Sequence, residues 1–350
     1  MQAKRGYFKS EGVRYSNLTW RNSEKPNYCG RELELAAAAS SQPCSTAAPG
    51  VDSASSEAES GCTEESLLSS GAATSPEPRS TESAATQGEL PPIVLVHGFA
   101  QSARSWETVA EKLAVTRDVY AIDLVGFGKS AKPNSLSAYS LQAMGGALVD
   151  FLRDLREGPL VVGYSLGGRV ALSALLQAGA ETFAWLAFGG LVLESAGLGM
   201  ASEADRAAAA TRDAATARRL REMPLADFMT YWENLPLFDS QKQLPESVRR
   251  AVRECRLAND PEALAKSVEQ AGQHAMPDRA DALAELEKLA QKGTPVRYVA
   301  GALDQKYTAL AAMLPAGVQT TIFPNVGHNV HLEAPEAFAQ FISGEVSIQP

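Results

Sequence analysis

One serine, one aspartate and one histidine in this 350-residue chain are spaced to do nucleophilic or base chemistry. The run Gly163-Tyr164-Ser165-Leu166-Gly167 fits G-x-S-x-G and lies between the apolar run Leu160-Val161-Val162 and a helical pattern starting at Leu166. A serine on such a strained strand-to-helix turn projects its Oγ clear of the sheet, and the flanking glycines let the backbone pass close by. Taken alone, five such residues would also suit a plain β–α turn. A serine hydroxyl is a weak nucleophile or base until an imidazole takes its proton. The histidines are His97, His274, His328 and His331. His328 follows the β-forming run 319–323, and loops at the C-terminal ends of parallel strands are where ligands bind. Asp304, in Gly301-Ala302-Leu303-Asp304, also stands just past a strand, although an ordinary loop carboxylate would fit there too. The chain order Ser165, Asp304, His328 is the one that accompanies a G-x-S-x-G elbow. His331 reads as a supporting or packing residue.

His97-Gly98-Phe99 follows the first strong strand. Its loop is placed to give one main-chain N–H to a developing oxyanion, and the residue after the nucleophile gives the other. Those donors would be Phe99 and Leu166, with His97 bonding its own loop. Gly126-Phe127-Gly128-Lys129-Ser130-Ala131 imitates a nucleotide loop, but a Walker A motif needs Gly where Asp123 stands. A dinucleotide turn should open a helix, and Pro133-Asn134 follow instead. That run is expected to be a turn at a strand end. No metal-ligand spacing occurs, so neither metal nor cofactor is expected.

The elements that must position these residues alternate. Strands are expected at 93–96, 119–122, 160–162, 190–193, 296–299 and 319–323, with helices at 105–114, 141–155, 166–178 and 335–342. Fully apolar strands such as Ile93-Val94-Leu95-Val96 suit a buried parallel sheet. The alternation predicts an α/β fold, a mostly parallel central sheet with helices on both faces. The core would span 90–195 and 281–350, and the purely helical stretch 196–280 would form a cap over the strand ends. A hairpin turning at Glu11-Gly12 is expected within 7–22. Between 23 and 89 the chain is Ala-, Ser-, Glu-, Thr- and Pro-rich and cannot bury enough apolar surface to offset its chain entropy. A disordered surface insertion is expected there.

Composition bounds the function. The net charge of -9 argues against a nucleic-acid partner. Eight carboxylates between Asp52 and Glu89 face Arg79 alone, so most of that charge belongs to the insertion. No apolar stretch of about twenty residues predicts a membrane span. Cys29, Cys44, Cys62 and Cys255 make no disulfide framework, and a reducing intracellular compartment is the simpler reading. Met1 to Arg5 is basic but lacks the apolar run of a secretory signal, and the acid-rich Ser segment does not suit a transit peptide. Oligomeric state is not encoded in any of these features.

His97-Gly98-Phe99, Asp123-Leu124-Val125-Gly126-Phe127-Gly128-Lys129-Ser130 and Gly163 to Arg169 resemble the α/β-hydrolase superfamily. Tyr231-Trp232-Glu233-Asn234-Leu235-Pro236-Leu237-Phe238 and Arg256-Leu257-Ala258-Asn259-Asp260-Pro261 narrow the resemblance to the MenH family, over about positions 90–345. That family makes 2-succinyl-6-hydroxy-2,4-cyclohexadiene-1-carboxylate (SHCHC) in menaquinone and phylloquinone biosynthesis. The resemblance implies an α/β-hydrolase fold and an elimination, in which a ring proton beside a ketone leaves and pyruvate departs from an enolpyruvyl ether. The pathway would allow a plastid. The implied substrate is a small anion with several carboxylates, and Tyr164, Arg169, Trp232 and Arg256 match family substrate-binding positions. Guanidinium groups give bidentate carboxylate contacts; surface or helix-end roles for the arginines, and core packing for the aromatics, are the plainer alternatives. The family pattern also places an arginine near Ala209, where Arg206 and Arg212 are the nearest replacements. A serine esterase or C–C bond hydrolase would use the same three residues. A ligand receptor on this fold would use none of them for turnover.

Overall fold

The computed structural model describes residues 2–21, 90–155 and 157–344. The expected insertion at 23–89 lies outside the described residues. The hairpin is present as β1 (Lys4–Ser10) and β2 (Val13–Trp20), with Glu11 and Gly12 both at positive φ, 47° and 78°, as a tight two-residue turn requires. It starts three residues earlier than its apolar pattern suggests. Lys4 and Arg5 pair with Thr19 and Leu18, and the Arg5 guanidinium reaches the Asp123 carboxylate at 3.1 Å.

The chain continues through β3 (Ile93–Val96), α1 (Glu107–Leu113), β4 (Val119–Asp123), α2 (Leu141–Leu155), β5 (Leu160–Tyr164), α3 (Leu166–Leu186) and β6 (Gly190–Glu194). Helices α4 (Glu203–Glu222), α5 (Leu225–Glu233), α6 (Glu246–Leu257), α7 (Pro261–Ala271) and α8 (Arg279–Gln291) follow before β7 (Val296–Gly301). Then come α9 (Gln305–Ala311), β8 (Val318–Phe323), α10 (Val330–Glu333) and α11 (Pro335–Ser343). Among the described residues the strands form one sheet in the order β1-β2-β4-β3-β5-β6-β7-β8. The hairpin joins β4 antiparallel, and every pair from β4 to β8 is parallel. No described helix is long and apolar enough to cross a membrane.

Alternation along the strands divides the core. Ile93 and Leu95 pack with Trp106, Leu113 and Phe338 on one face. Val94 and Val96 pack with Leu148, Val170 and Leu172 of α2 and α3 on the other. Helices therefore cover both faces, and each fully buried Leu or Val contributes roughly 1.5–3 kcal/mol. Helix α8, short α9 and the four-residue α10 lie outside the expected helices. In α8, Ala282, Leu286 and Leu289 are buried at helical spacing and pack the helix against α3. Short α9 begins at the strand-end aspartate, Asp304, whose carboxylate caps it by accepting from Tyr307 N. Helix α3 also runs past the expected Ala178, breaking at Gly179, where φ is 73°.

β3 lies between β4 and β5, so the connection leaving β4 crosses over β3 to reach the other half of the sheet. That reversal opens a crevice at the C-terminal ends of β3 and β5. At the opposite end, Trp20 and Ile93 flank Val119 from its two sides. The strand leaving at Trp20 and the one starting at Ile93 are therefore two strand spacings apart, about 10 Å.

Candidate active site

Ser165 follows β5 at the crevice, as the N-cap of α3, with φ 49° and ψ −105°, a backbone conformation that costs an L-residue energy. Two contacts hold it there. Its N–H donates to the Glu194 carbonyl at 2.9 Å, and its own carbonyl accepts from Arg169 N at 3.1 Å. The tight approach explains the glycines. A Cβ at Gly163 would lie 2.6 Å from the Gly167 carbonyl oxygen, and one at Gly167 would run into the Val96 carbonyl.

The structure brings the three expected side chains together. His328 Nε2 lies 3.3 Å from Ser165 Oγ, and its Nδ1 lies 2.6 Å from Asp304 Oδ2. Asp304 and His328 are buried. With Asp304 ionised, Nδ1–H donates to it, and the Nε2 lone pair is left to accept from the serine hydroxyl. Tyr307 and Phe238 press on the imidazole, with ring centroids at 4.8 and 6.0 Å. Leu166 opens α3, so its N–H has no intrahelical acceptor. Phe99 and Leu166 both line the cavity above Ser165.

His97 binds its own loop as expected. Its Nδ1 donates to the Gly98 carbonyl at 2.7 Å, its Nε2 accepts from Leu124 N at 3.1 Å, and burial lowers its pKa. The nucleotide-loop imitation is a turn knotted by Asp123, which accepts from Lys129 N, Ala103 N and the Ser16 hydroxyl.

A cavity of about 170 Å³ lies above the serine, walled on one side by residues of α4 to α7. All four expected binding residues line it, in different states. Tyr164 is buried, its ring 5.4 Å from His328, and burial followed by the nearby Glu194 raises its hydroxyl pKa. Trp232 packs against Phe99 and Phe228, with centroids at 5.1 and 5.9 Å. Arg169 is only 8% exposed, donates from Nη1 to the Ala271 carbonyl at 2.5 Å, and leaves its buried Nε without a partner among the described residues. Burial lowers its pKa, while Tyr307 and Asp213 act to raise it. Arg256 is also buried but engaged. It pairs with Glu233 at 3.2 Å, donates to Gln241, and lies over the Phe238 ring. Arg253 shares Glu233, so two guanidinium groups face one carboxylate.

Neither suggested replacement near Ala209 reaches the cavity. Arg206 is occupied by Glu203, Asp278 and the carbonyls of His274 and Met276. Arg212 is exposed, and the α4 residues lining the cavity are Asp213 and Thr216. Sequence reasoning missed Lys306, which lines the cavity two residues past Asp304 with its Nζ 5.0 Å from the Tyr307 ring centre. Attention to the residues flanking a strand-end aspartate would have found it.

Such an arrangement can pass a proton from a substrate or hydroxyl through serine to imidazole, and it can offer main-chain donors to the oxygen that gains charge. Residues 93–341 match the alpha/beta hydrolase family. A 2-succinyl-6-hydroxy-2,4-cyclohexadiene-1-carboxylate synthase of Citrobacter koseri is 35% identical over 252 residues, covering 70% of this chain and 89% of that one. The structure of MenH from S. aureus superposes with a TM-score of 0.67 at 27% identity, covering 73% of this chain and 93% of that one. An esterase from Exiguobacterium antarcticum shares the fold at a TM-score of 0.60 and 18% identity, over 73% of this chain and 91% of that one. With its elbow at the crevice and its helices over the strand ends, the chain belongs to the alpha/beta hydrolase family and, within it, to the MenH group.

Proposed function

We propose that this chain is a carbon–oxygen lyase that forms SHCHC and pyruvate from 2-succinyl-5-enolpyruvyl-6-hydroxy-3-cyclohexene-1-carboxylate, in menaquinone or phylloquinone biosynthesis. Residues 196–280 act as the cap that closes the site over this small anion. Ser165 passes its proton to His328 and takes the ring proton beside the succinyl ketone. The electrons of that C–H bond form a new ring double bond, the existing one shifts along, and the C–O bond to the enolpyruvyl group breaks. His328 returns a proton to the departing enolpyruvate, which becomes pyruvate. No water is consumed.

The ketone is what makes the ring proton acidic, and its oxygen gains charge as the proton leaves. The Phe99 and Leu166 amides would stabilise that oxygen, and Asp304 would stabilise the imidazolium. Arg169, Arg256 and Lys306 would meet the carboxylates, and Tyr164 and Trp232 would shape the wall beside the ring. The observation that carries the reading is Arg169, a buried guanidinium whose Nε has no partner among the described residues, in the same cavity as the Ser165–His328 contact. An esterase needs no such cation beside its acyl group, whereas a polycarboxylate needs a fixed one.

The test is release of pyruvate from the enolpyruvyl substrate, followed by its reduction with NADH and lactate dehydrogenase. Pyruvate formed by the native protein and lost in Ser165→Ala supports the lyase. Turnover of a nitrophenyl ester without pyruvate would assign the same side chains to acyl transfer instead.

A further inference from the structure

Contacts on Ser165 and on the His328 loop converge on one residue outside the cavity wall, through its main-chain carbonyl and its carboxylate respectively. Glu194 ends β6 and is fully buried, with 0% exposure. Its main-chain carbonyl accepts from Ser165 N at 2.9 Å. Its side chain accepts from His331 N at 3.0 Å and from His331 Nδ1 at 2.8 and 3.0 Å. His331 stands three residues past His328 on the same loop and α10 turn. The His331 ring lies flat on Trp106, centroids 3.7 Å apart at 22°, and edge-on to Tyr164 at 4.9 Å. Tyr164 in turn precedes Ser165 and touches His328. On the other side, Glu333 accepts from Gly327 N at 2.7 Å and Asn329 N at 3.3 Å, the amides that flank His328. Glu194 alone of these two glutamates also holds the serine.

A carboxylate taken fully out of water is costly, and an apolar side chain of similar volume would fill such a place at least as stably. The directional contacts are what an apolar residue could not supply. The 3.3 Å separation of Ser165 Oγ and His328 Nε2 is longer than a well-formed hydroxyl hydrogen bond. Small displacements of either turn therefore decide whether the proton can pass. We propose that Glu194, acting through His331, is a positioning residue that sets the distance between Ser165 Oγ and His328 Nε2. It rests on Ser165 and His328 as the reacting pair, whatever the natural substrate.

A fluorophosphonate probe tests it without that substrate. The Ser165 Oγ–P bond forms as fluoride leaves, and His328 takes the hydroxyl proton. In Glu194→Gln the rate of phosphonylation and the kcat for pyruvate release should fall together by about tenfold or more, with KM within about twofold. His331→Asn, which keeps a donor near the Nδ1 position, should retain most of the rate, and His331→Leu should lose it. If Glu194→Gln fails to fold, the His331 pair carries the same comparison. Unchanged phosphonylation with a lowered melting temperature would overturn the proposal, as would equal rates in the Asn and Leu variants. A native protein that shows this pattern but releases no pyruvate would sink the lyase reading and leave Glu194 in its role.

Discussion

The guanidinium of Arg169 rests on the carbonyl of Ala271, and so ties the helix that follows the serine to the last turn of α7. Its hydrogen-bond partner is a neutral acceptor, and among the described residues no carboxylate forms a salt bridge with it, although Asp213 lines the same cavity. Removing the guanidinium should weaken substrate binding. Arg169→Met is expected to raise KM for the enolpyruvyl substrate by about 10- to 100-fold, the worth of one charge-assisted hydrogen bond. The melting temperature should not fall, because a buried cation costs desolvation that methionine does not. Arg169→Lys should not restore KM, since an ammonium cannot reproduce the guanidinium fork. An unchanged KM in steady-state kinetics would remove Arg169 from the site.

Asp304 fixes which imidazole nitrogen carries the proton. In Asp304→Asn the side-chain oxygen can still accept from Tyr307 N, so α9 stays capped. The amide NH₂ would face His328 Nδ1 and favour the tautomer with its proton on Nε2, which cannot accept from Ser165. Pyruvate release should fall by about 10³- to 10⁴-fold with little change in melting temperature. Ser165→Ala should lose at least as much, and the double variant should be no worse than the more damaged single one. Losses that multiply would mean the two residues do not work as a unit.

The sheet and the elbow were legible because their signals are local. Apolar runs of three or four residues fix β3, β5 and β6, and the Gly163–Gly167 spacing fixes the turn between β5 and α3. Asp304 and His328 were legible because each follows a strand end. Arg206 and Arg212 show where local signals stop. Nothing in the α4 sequence says that Arg206 is consumed by Asp278 and two carbonyls, since those partners lie some 70 positions away in the chain. Likewise, the Glu233 that occupies Arg256 belongs to another helix. Glu194 stands at the end of a strand otherwise made of Gly, Leu and Val, and its value depends on a histidine 137 positions later.

Burial of His97 gives the fold an acid sensitivity. Its lowered pKa means the folded chain resists a proton that the unfolded chain accepts below about pH 6.5. The sign follows from linkage: the unfolded state binds more protons, so stability falls with acid, by at most ~1.4 kcal/mol per pH unit from this group. The contribution is fully present above the unfolded value and is lost as pH drops toward the folded one. Protonation would also destroy the bond that Nε2 accepts from Leu124 N. Urea unfolding of the native chain and of His97→Asn at about pH 7.5 and about pH 5.5 measures it. The native chain should lose more stability across that interval than the variant, and equal losses would clear His97 of the effect.

Gly167 should not tolerate even a methyl group. Its Cβ would meet backbone atoms of Val96 and His97, which cannot swing aside as a flexible side chain would. Gly167→Ala is expected to destabilise the fold by about 1–3 kcal/mol, as overpacking does. It should also slow phosphonylation of Ser165, because relief of the clash pushes α3 away from β3. A variant with native stability and native reactivity would show that the elbow has slack.

Trp20 and Ile93, set on either side of Val119, make the base of the sheet a port. Chain that leaves at one and returns at the other can be of almost any length, since lengthening a loop adds closure entropy only logarithmically. The gap itself needs only a handful of residues to bridge. Both openings lie at the strand ends opposite Ser165, so a splice there joins the sheet at the end away from the chemistry. Replacing 22–89 with a short Gly-Ser tether would convert the same port into a closed seam, with turnover preserved.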